Sequence, residues 1–253
     1  MRTKTLVLTA AISAAALATS MAQIFSVNAV GYVKLTICSN CLALIANPLN
    51  QPNNDLNIIL PLKDDGTQDG VSIYRFNPAT GAYRSTISWI SIGPGMGGVW
   101  FTPDSGTDPN ATVLNPGEGV FFYNNTLASV DLTFVGEVMQ GNLSSPIPAN
   151  GALSIRASQV PQAAGLGDPS QADSLMFPAA NGDLVYVFDV TKQTYKDTYT
   201  YIVDNTVVPP VAIWFSPSDF NPEGPVIPVG GSFFVIKADA AASVNWTRTF
   251  SVN

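Results

Sequence analysis

At 253 residues, with a formal net charge of −7 and 46% apolar against 11% charged residues, the chain can build a sizeable core and leaves a weakly charged surface. The acidic balance argues against nucleic acid as a partner, because affinity for phosphates rests on basic patches. No histidine occurs, which removes the commonest general base, the Ser-His and Cys-His nucleophiles and nearly all zinc catalysis.

The first residues read as a secretory signal peptide over 1–22. Arg2 and Lys4 precede an apolar run over 6–18 that is too short to span a membrane, and Ser20-Met21-Ala22 is a small-x-Ala cleavage site. Cleavage leaves 9 basic residues against 18 acidic ones. No later stretch has the roughly 18–20 apolar residues of a membrane helix, so the expected product is extracellular, at the cell surface or periplasmic.

The segment 24–37, rich in Val, Ile and aromatics, predicts one or two strands that end at Cys38-Ser39-Asn40-Cys41. In an exported protein this C-x-x-C predicts a structural disulfide across a turn. Leu42 follows it where haem attachment needs His. Residues 42–46 predict a buried strand, and 55–60 a single helical turn capped by Asn54 or Asp55 and stopped by Pro61.

Asp64, Asp65 and Asp69 in K-D-D-G-T-Q-D-G form the one calcium candidate. They lack the distal bidentate Glu of a full calcium loop, and Asp69-Gly70 is answered later by Asn181-Gly182, which favours turn chemistry at positive φ.

That answering is general. Val-Leu-Asn-Pro-Gly-Glu-Gly-Val-Phe-Phe-Tyr at 113–123 returns as Val-Ile-Pro-Val-Gly-Gly-Ser-Phe-Phe-Val-Ile at 226–236. Tyr74 and Phe76 answer to Tyr186 and Phe188, Tyr83-Arg84 to Tyr195-Lys196, Trp89 to Tyr201, and Val99-Trp100-Phe101 to Ile213-Trp214-Phe215. The chain therefore reads as a duplication, with a first β repeat over 23–132 and a second over 133–253. The predicted class is all-β: two tandem, closely packed, homologous β-sandwich or barrel-like units with at most short helical turns.

Catalytic patterns do not emerge. Glu118, Glu137 and Glu223 are the only glutamates, and Glu118 is matched by Gly231, so no repeated acidic pair suggests glycoside hydrolysis. The glycines at 93–98 lack the Lys-Ser/Thr of a phosphate loop and read as flexible loop. Trp100 and Trp214 are expected in the core. Trp89 and Tyr201 are the expected surface aromatics, able to stack on sugar rings.

The segments S-V-N-A-V-G-Y-V (26–33), A-L-I-A-N-P-L (43–49), N-P-G-E-G-V-F-F (115–122) and T-F-V-G-E-V (133–138) resemble a group of small exported proteins of Verrucomicrobia-type bacteria. The resemblance implies a signal peptide, a duplicated β module and no established activity, so it transfers no site residues. The cysteine pair departs from the pattern.

The function expected from these features is non-catalytic: a structural, adhesive or self-assembling role at the cell envelope or outside the cell, with self-association or cell-surface partners and no cofactor beyond the calcium candidate. A carbohydrate-binding module using exposed aromatics is the alternative.

Overall fold

The structure is a computed structural model that describes residues 29–149, 151–170, 173–219, 221–238 and 241–252. The expected signal peptide lies outside the described residues, and no helix among them is long and apolar enough to cross a membrane.

The protein is all-β, built on two five-stranded antiparallel sheets. The first contains β2 (Cys41–Ala46), β3 (Ser72–Tyr74), β6 (Ile87–Ser91), β7 (Gly98–Phe101) and β8 (Gly119–Asn124), in the order β2-β8-β3-β6-β7. The second contains β11 (Ser154–Arg156), β13 (Leu184–Tyr186), β16 (Tyr199–Asp204), β17 (Val211–Phe215) and β19 (Phe233–Ile236), in the order β11-β19-β13-β16-β17. The two orders coincide when β2 is read against β11, β8 against β19, β3 against β13, β6 against β16 and β7 against β17.

Each sheet is covered on one face by a two-stranded ribbon. In the first, β1 (Val30–Ile37) pairs with β9 (Val130–Glu137); in the second, β10 (Gly141–Ile147) pairs with β20 (Val244–Phe250). Strict alternation in β9 buries Val130, Leu132 and Phe134 and leaves Asp131 and Val135 outside. These side chains meet Ile45, Ile73, Trp100 and Phe122 of the first sheet, together with Leu56 and Ile59 from the short helix α1 (Leu56–Ile59) and Leu60 at its C-terminal end. Asp55 caps that helix, its carboxylate accepting the Asn57 N–H at 2.8 Å. In the second core, Phe177 lies between Trp246, Phe233 and Trp214.

The opposite faces of the two sheets meet each other. Leu44 and Phe121 pack on Ile155 and Phe234, with Tyr74, Phe76, Tyr186 and Phe188 around them. Consecutive phenylalanines in β8 and β19 thus serve two cores: Phe122 and Phe233 face the ribbons, and Phe121 and Phe234 face the seam.

Backbone pairing closes the seam at both ends. The glycine turn of 226–236 lies along β2, with Ala46 N–H donating to Gly230 O at 2.8 Å and an Ile45–Gly231 bridge. The glycine turn of 113–123 lies along β11, with Ala157 N–H donating to Gly117 O at 3.1 Å and a Glu118–Arg156 bridge. Gly117 and Gly230 take φ of +93° and +71°, a conformation in which other residues are strained.

Cys38 and Cys41 are disulfide-bonded and clip the turn from β1 to β2. Gly98, expected in a flexible loop, is instead the first residue of β7; a Cβ there would stand 2.3 Å from the Trp89 ring, so only glycine lets that ring cross the strand.

Candidate functional site

The aromatics expected at the surface are inside. Trp89 and Tyr201 are 2% and 6% exposed. Trp89 stands directly opposite Trp100 in the β6–β7 register, and Tyr201 opposite Trp214 in β16–β17. Cross-strand partners share a face, so placing Trp100 and Trp214 in the core takes their partners with them. The rings meet at 5.6 and 5.1 Å. The Trp89 indole N–H donates to Lys63 O, and the Tyr201 hydroxyl donates to Asp168. Neither ring offers a face to a sugar.

The three carboxylates of the calcium candidate are each engaged by different donors. Asp69 accepts the Ser91 N–H at 2.7 Å, as the uncharged Asn181 accepts the Val203 N–H at 2.9 Å, so its role there requires no charge. Asp64 accepts the N–H groups of Gly95 and Gly97, and Asp65 accepts from Thr67, whose hydrogen bonds lower the Asp65 pKa. Among the described residues no three His, Cys, Asp or Glu side chains gather to hold a metal.

Exposed aromatics occur instead where the seam opens to solvent. In each half a two-stranded hairpin, β4 (Phe76–Asn77) with β5 (Ala82–Tyr83), or β14 (Phe188–Asp189) with β15 (Thr194–Tyr195), folds a tyrosine back over the seam. Tyr83 and Tyr195 are 47% and 44% exposed. Tyr83 lies edge-on to Phe76 at 5.4 Å, and Tyr195 edge-on to Phe188 at 5.4 Å. The rings run on without a break: Tyr83 to Phe121 at 6.5 Å, Phe121 to Phe234 at 6.0 Å, and Phe234 to Tyr195 at 6.2 Å.

Two grooves flank this aromatic run. One, of about 440 Å³, is lined by Leu42, Tyr74, Tyr83, Phe121 and Tyr123, with Arg84 at its rim. The other, of about 350 Å³, is lined by Leu153, Tyr186, Tyr195, Phe234 and Ile236. Position for position, Leu42, Tyr74, Tyr83, Phe121 and Tyr123 match Leu153, Tyr186, Tyr195, Phe234 and Ile236 in the two sheets and their hairpins. Among the described residues no protein group hydrogen-bonds the hydroxyls of Tyr74, Tyr83, Tyr123, Tyr186 or Tyr195, so they can serve a ligand. Burial of the ring raises the Tyr83 pKa and pushes that of Tyr195 up to about 12, the latter helped by the nearby Tyr83.

Tyr195 also walls a larger, polar depression of about 530 Å³ that carries Lys192, Lys196 and Asp197. Gln193, at the tip of the same hairpin, accepts the Leu42 N–H at 2.8 Å and donates to Leu42 O at 3.1 Å, anchoring the hairpin to β2. In the sequence Tyr83-Arg84 answers to Tyr195-Lys196 and reads only as hairpin; an aromatic beside a cation at both places is the signal that points to these grooves.

Compared with protein-family models, with curated proteins and with solved structures, the chain matches none.

Proposed function

We propose that this is an exported, non-catalytic adhesive protein, formed by internal duplication, that holds glycan chains at the cell envelope or outside the cell through its two aromatic grooves. We place the two units at 30–137 and 141–250 instead of joining them at 132/133, because β9 continues to Glu137 without a break. The observation that carries the reading is that the same exposed tyrosine, over the same apolar floor, occurs in both halves. An aromatic face takes the C–H face of a sugar, unoccupied hydroxyls at its edge take the sugar's own hydroxyls, and two such sites on one particle bridge chains with a gain in avidity. The complete absence of histidine and the engagement of Glu118 with Arg75 at 3.6 Å favour binding over catalysis.

A glycan array followed by titration calorimetry tests this. The expected result is two sites per chain, with Tyr83→Ala and Tyr195→Ala each removing one. Silence of the correctly folded mature protein across the array, or binding untouched by both substitutions, overturns it.

A second reading, self-association, has its own support. Alternation in β6 and β7 puts Ile90, Val99 and Phe101 on the side away from the core, where they are 45%, 36% and 50% exposed. Ile202, Val211 and Phe215 are exposed likewise in β16 and β17. Strand addition is hindered because the outward N–H groups of Trp100 and Trp214 are already taken by Asn57 and Pro222, so association would be face to face. Sedimentation of wild type against Phe101→Ser and Phe215→Ser decides it: a monomer at all concentrations discards the reading.

A further inference from the structure

We propose that Lys237 and Asp183 are joined by an intramolecular amide bond that the folded chain forms by itself with loss of one water. This goes beyond the grooves and does not depend on them. Lys237 is 2% exposed and Asp183 is fully buried, and Lys237 Nζ lies directly against Asp183 Oδ2. They face each other across the two strands at the middle of the second sheet: Leu184 of β13 pairs with Ile236 of β19, and the next pair outward is Asp183 and Lys237.

A buried ion pair is a poor stabiliser, since an apolar pair of similar volume commonly does as well or better. The first half makes this comparison, for the corresponding positions there hold Val71 and Asn124, and the sheet is complete without either charge. What the second half adds is an arrangement suited to acyl transfer. Both carboxylate oxygens are held by backbone donors, Oδ2 by the Ala180 N–H at 2.8 Å and Oδ1 by the Ala238 N–H at 3.0 Å. The amine is held from the other side by Pro178 O at 2.5 Å, beside the Phe177 ring at 5.5 Å.

The step balances within the pair. In a water-excluded site, transfer of one ammonium proton to Oδ2 removes both charges and frees the Nζ lone pair. Nζ attacks Cγ, forming the Nζ–Cγ bond. The charge that develops on Oδ1 is met by the Ala238 N–H, as in an oxyanion hole. A second proton passes from Nζ to Oδ2, the Cγ–Oδ2 bond breaks, and Oδ2 leaves as water. The amide keeps one N–H, which donates to Pro178 O. Fixed neighbours on both reactants supply the proximity that such a condensation lacks in solution. The product staples β13 to β19 in the second half, as the disulfide clips β1 to β2 in the first.

Mass spectrometry of the mature exported protein, denatured and with its disulfide reduced, tests the assignment. The expected wild-type mass is lower than the composition by one water. Trypsin is expected to release peptide 157–192 linked through Asp183 to a peptide 197–248 in which Lys237 resists cleavage. Asp183→Ala and Lys237→Arg are expected to restore the full mass, but the wild-type measurement stands alone should either fail to fold. Wild type at its full calculated mass, with cleavage at Lys237 and no linked peptide, overturns the proposal.

Discussion

Phe121 and Phe234 stand at matching positions of β8 and β19, and their rings meet 6.0 Å apart at the centre of the seam between the sheets. Each ring therefore forms part of the pocket that buries the other, and the seam depends on both at once. Phe121→Ala and Phe234→Ala are each expected to cost about 3–5 kcal/mol in urea unfolding, the usual range for a buried phenylalanine. The double variant should lose less than the sum by about 1 kcal/mol, because the second deletion enlarges a cavity already opened. Strict additivity would show that the rings act in separate pockets.

Gly119 and Ser232 approach closely across the seam. A Cβ on Gly119 would stand 2.5 Å from Ser232 Cβ and 2.3 Å from Ile155 Cγ2. These two residues hold matching positions, Gly119 as the first residue of β8 and Ser232 just before β19, and a side chain fits on one side only. Gly119→Ser is expected to destabilise by about 1–3 kcal/mol through overpacking. Adding Ser232→Gly should recover part of that loss and no more, since Ile155 still blocks the new side chain. Thermal unfolding of the two variants checks the order; a double variant no better than Gly119→Ser would place the strain elsewhere.

The turn at Cys38-Ser39-Asn40-Cys41 has two fasteners of unequal strength. Closing so short a loop by a disulfide contributes about 2 kcal/mol. Asn124, fully buried, donates from Nδ2 to Ile37 O, Cys38 O and Ala128 O, and its Oδ1 accepts from Thr126. Asn124→Ala strands the buried Ile37 carbonyl away from water, at about 1–3 kcal/mol, and loses the bonds that tie Cys38, Thr126 and Ala128 to this point, although those groups can turn to solvent. The substitution is thus expected to lower the urea midpoint more than reduction of the disulfide does. The opposite order would make the disulfide the principal clip.

Residue pattern carried the strands and the expectation of close packing, and missed which residues form the seam, for a physical reason. The Asp55 cap, the Cys turn and the burial of Trp100 and Trp214 were legible because each rests on local chemistry or simple alternation. The facing of Trp89 was not, because it follows from cross-strand register with Trp100, which a sequence does not print. The doublets Phe121-Phe122 and Phe233-Phe234 held the missed clue: adjacent aromatics in a strand point to opposite faces, so a sheet bearing them is covered on both sides. Comparing the two stretches gave no signal of the pair Lys237 and Asp183, since the matching positions hold the uncharged Asn124 and Val71.

Alkaline pH should loosen the second half. Burial pushes the Tyr195 and Tyr201 pKa values up to about 12, the Tyr201 phenol being held also by Asp168, and burial beside Asp219 raises Tyr199 as well. An unfolded tyrosine ionises near pH ~10. Below that the neutral phenols contribute their full stability; between about 10 and 12 the unfolded chain releases protons that the folded one retains, so stability falls as pH rises. The slope is about 1.4 kcal/mol per pH unit for a tyrosine as buried as Tyr201 and smaller for the half-exposed Tyr195. Tyr201→Phe removes one titrating group and its hydrogen bond to Asp168, so it should start about 1 kcal/mol less stable at neutral pH and decline less steeply in alkali. Urea unfolding of both proteins at closely spaced alkaline pH values measures the two slopes, and equal slopes would mean that Tyr201 ionises as freely in the folded chain as in the unfolded one.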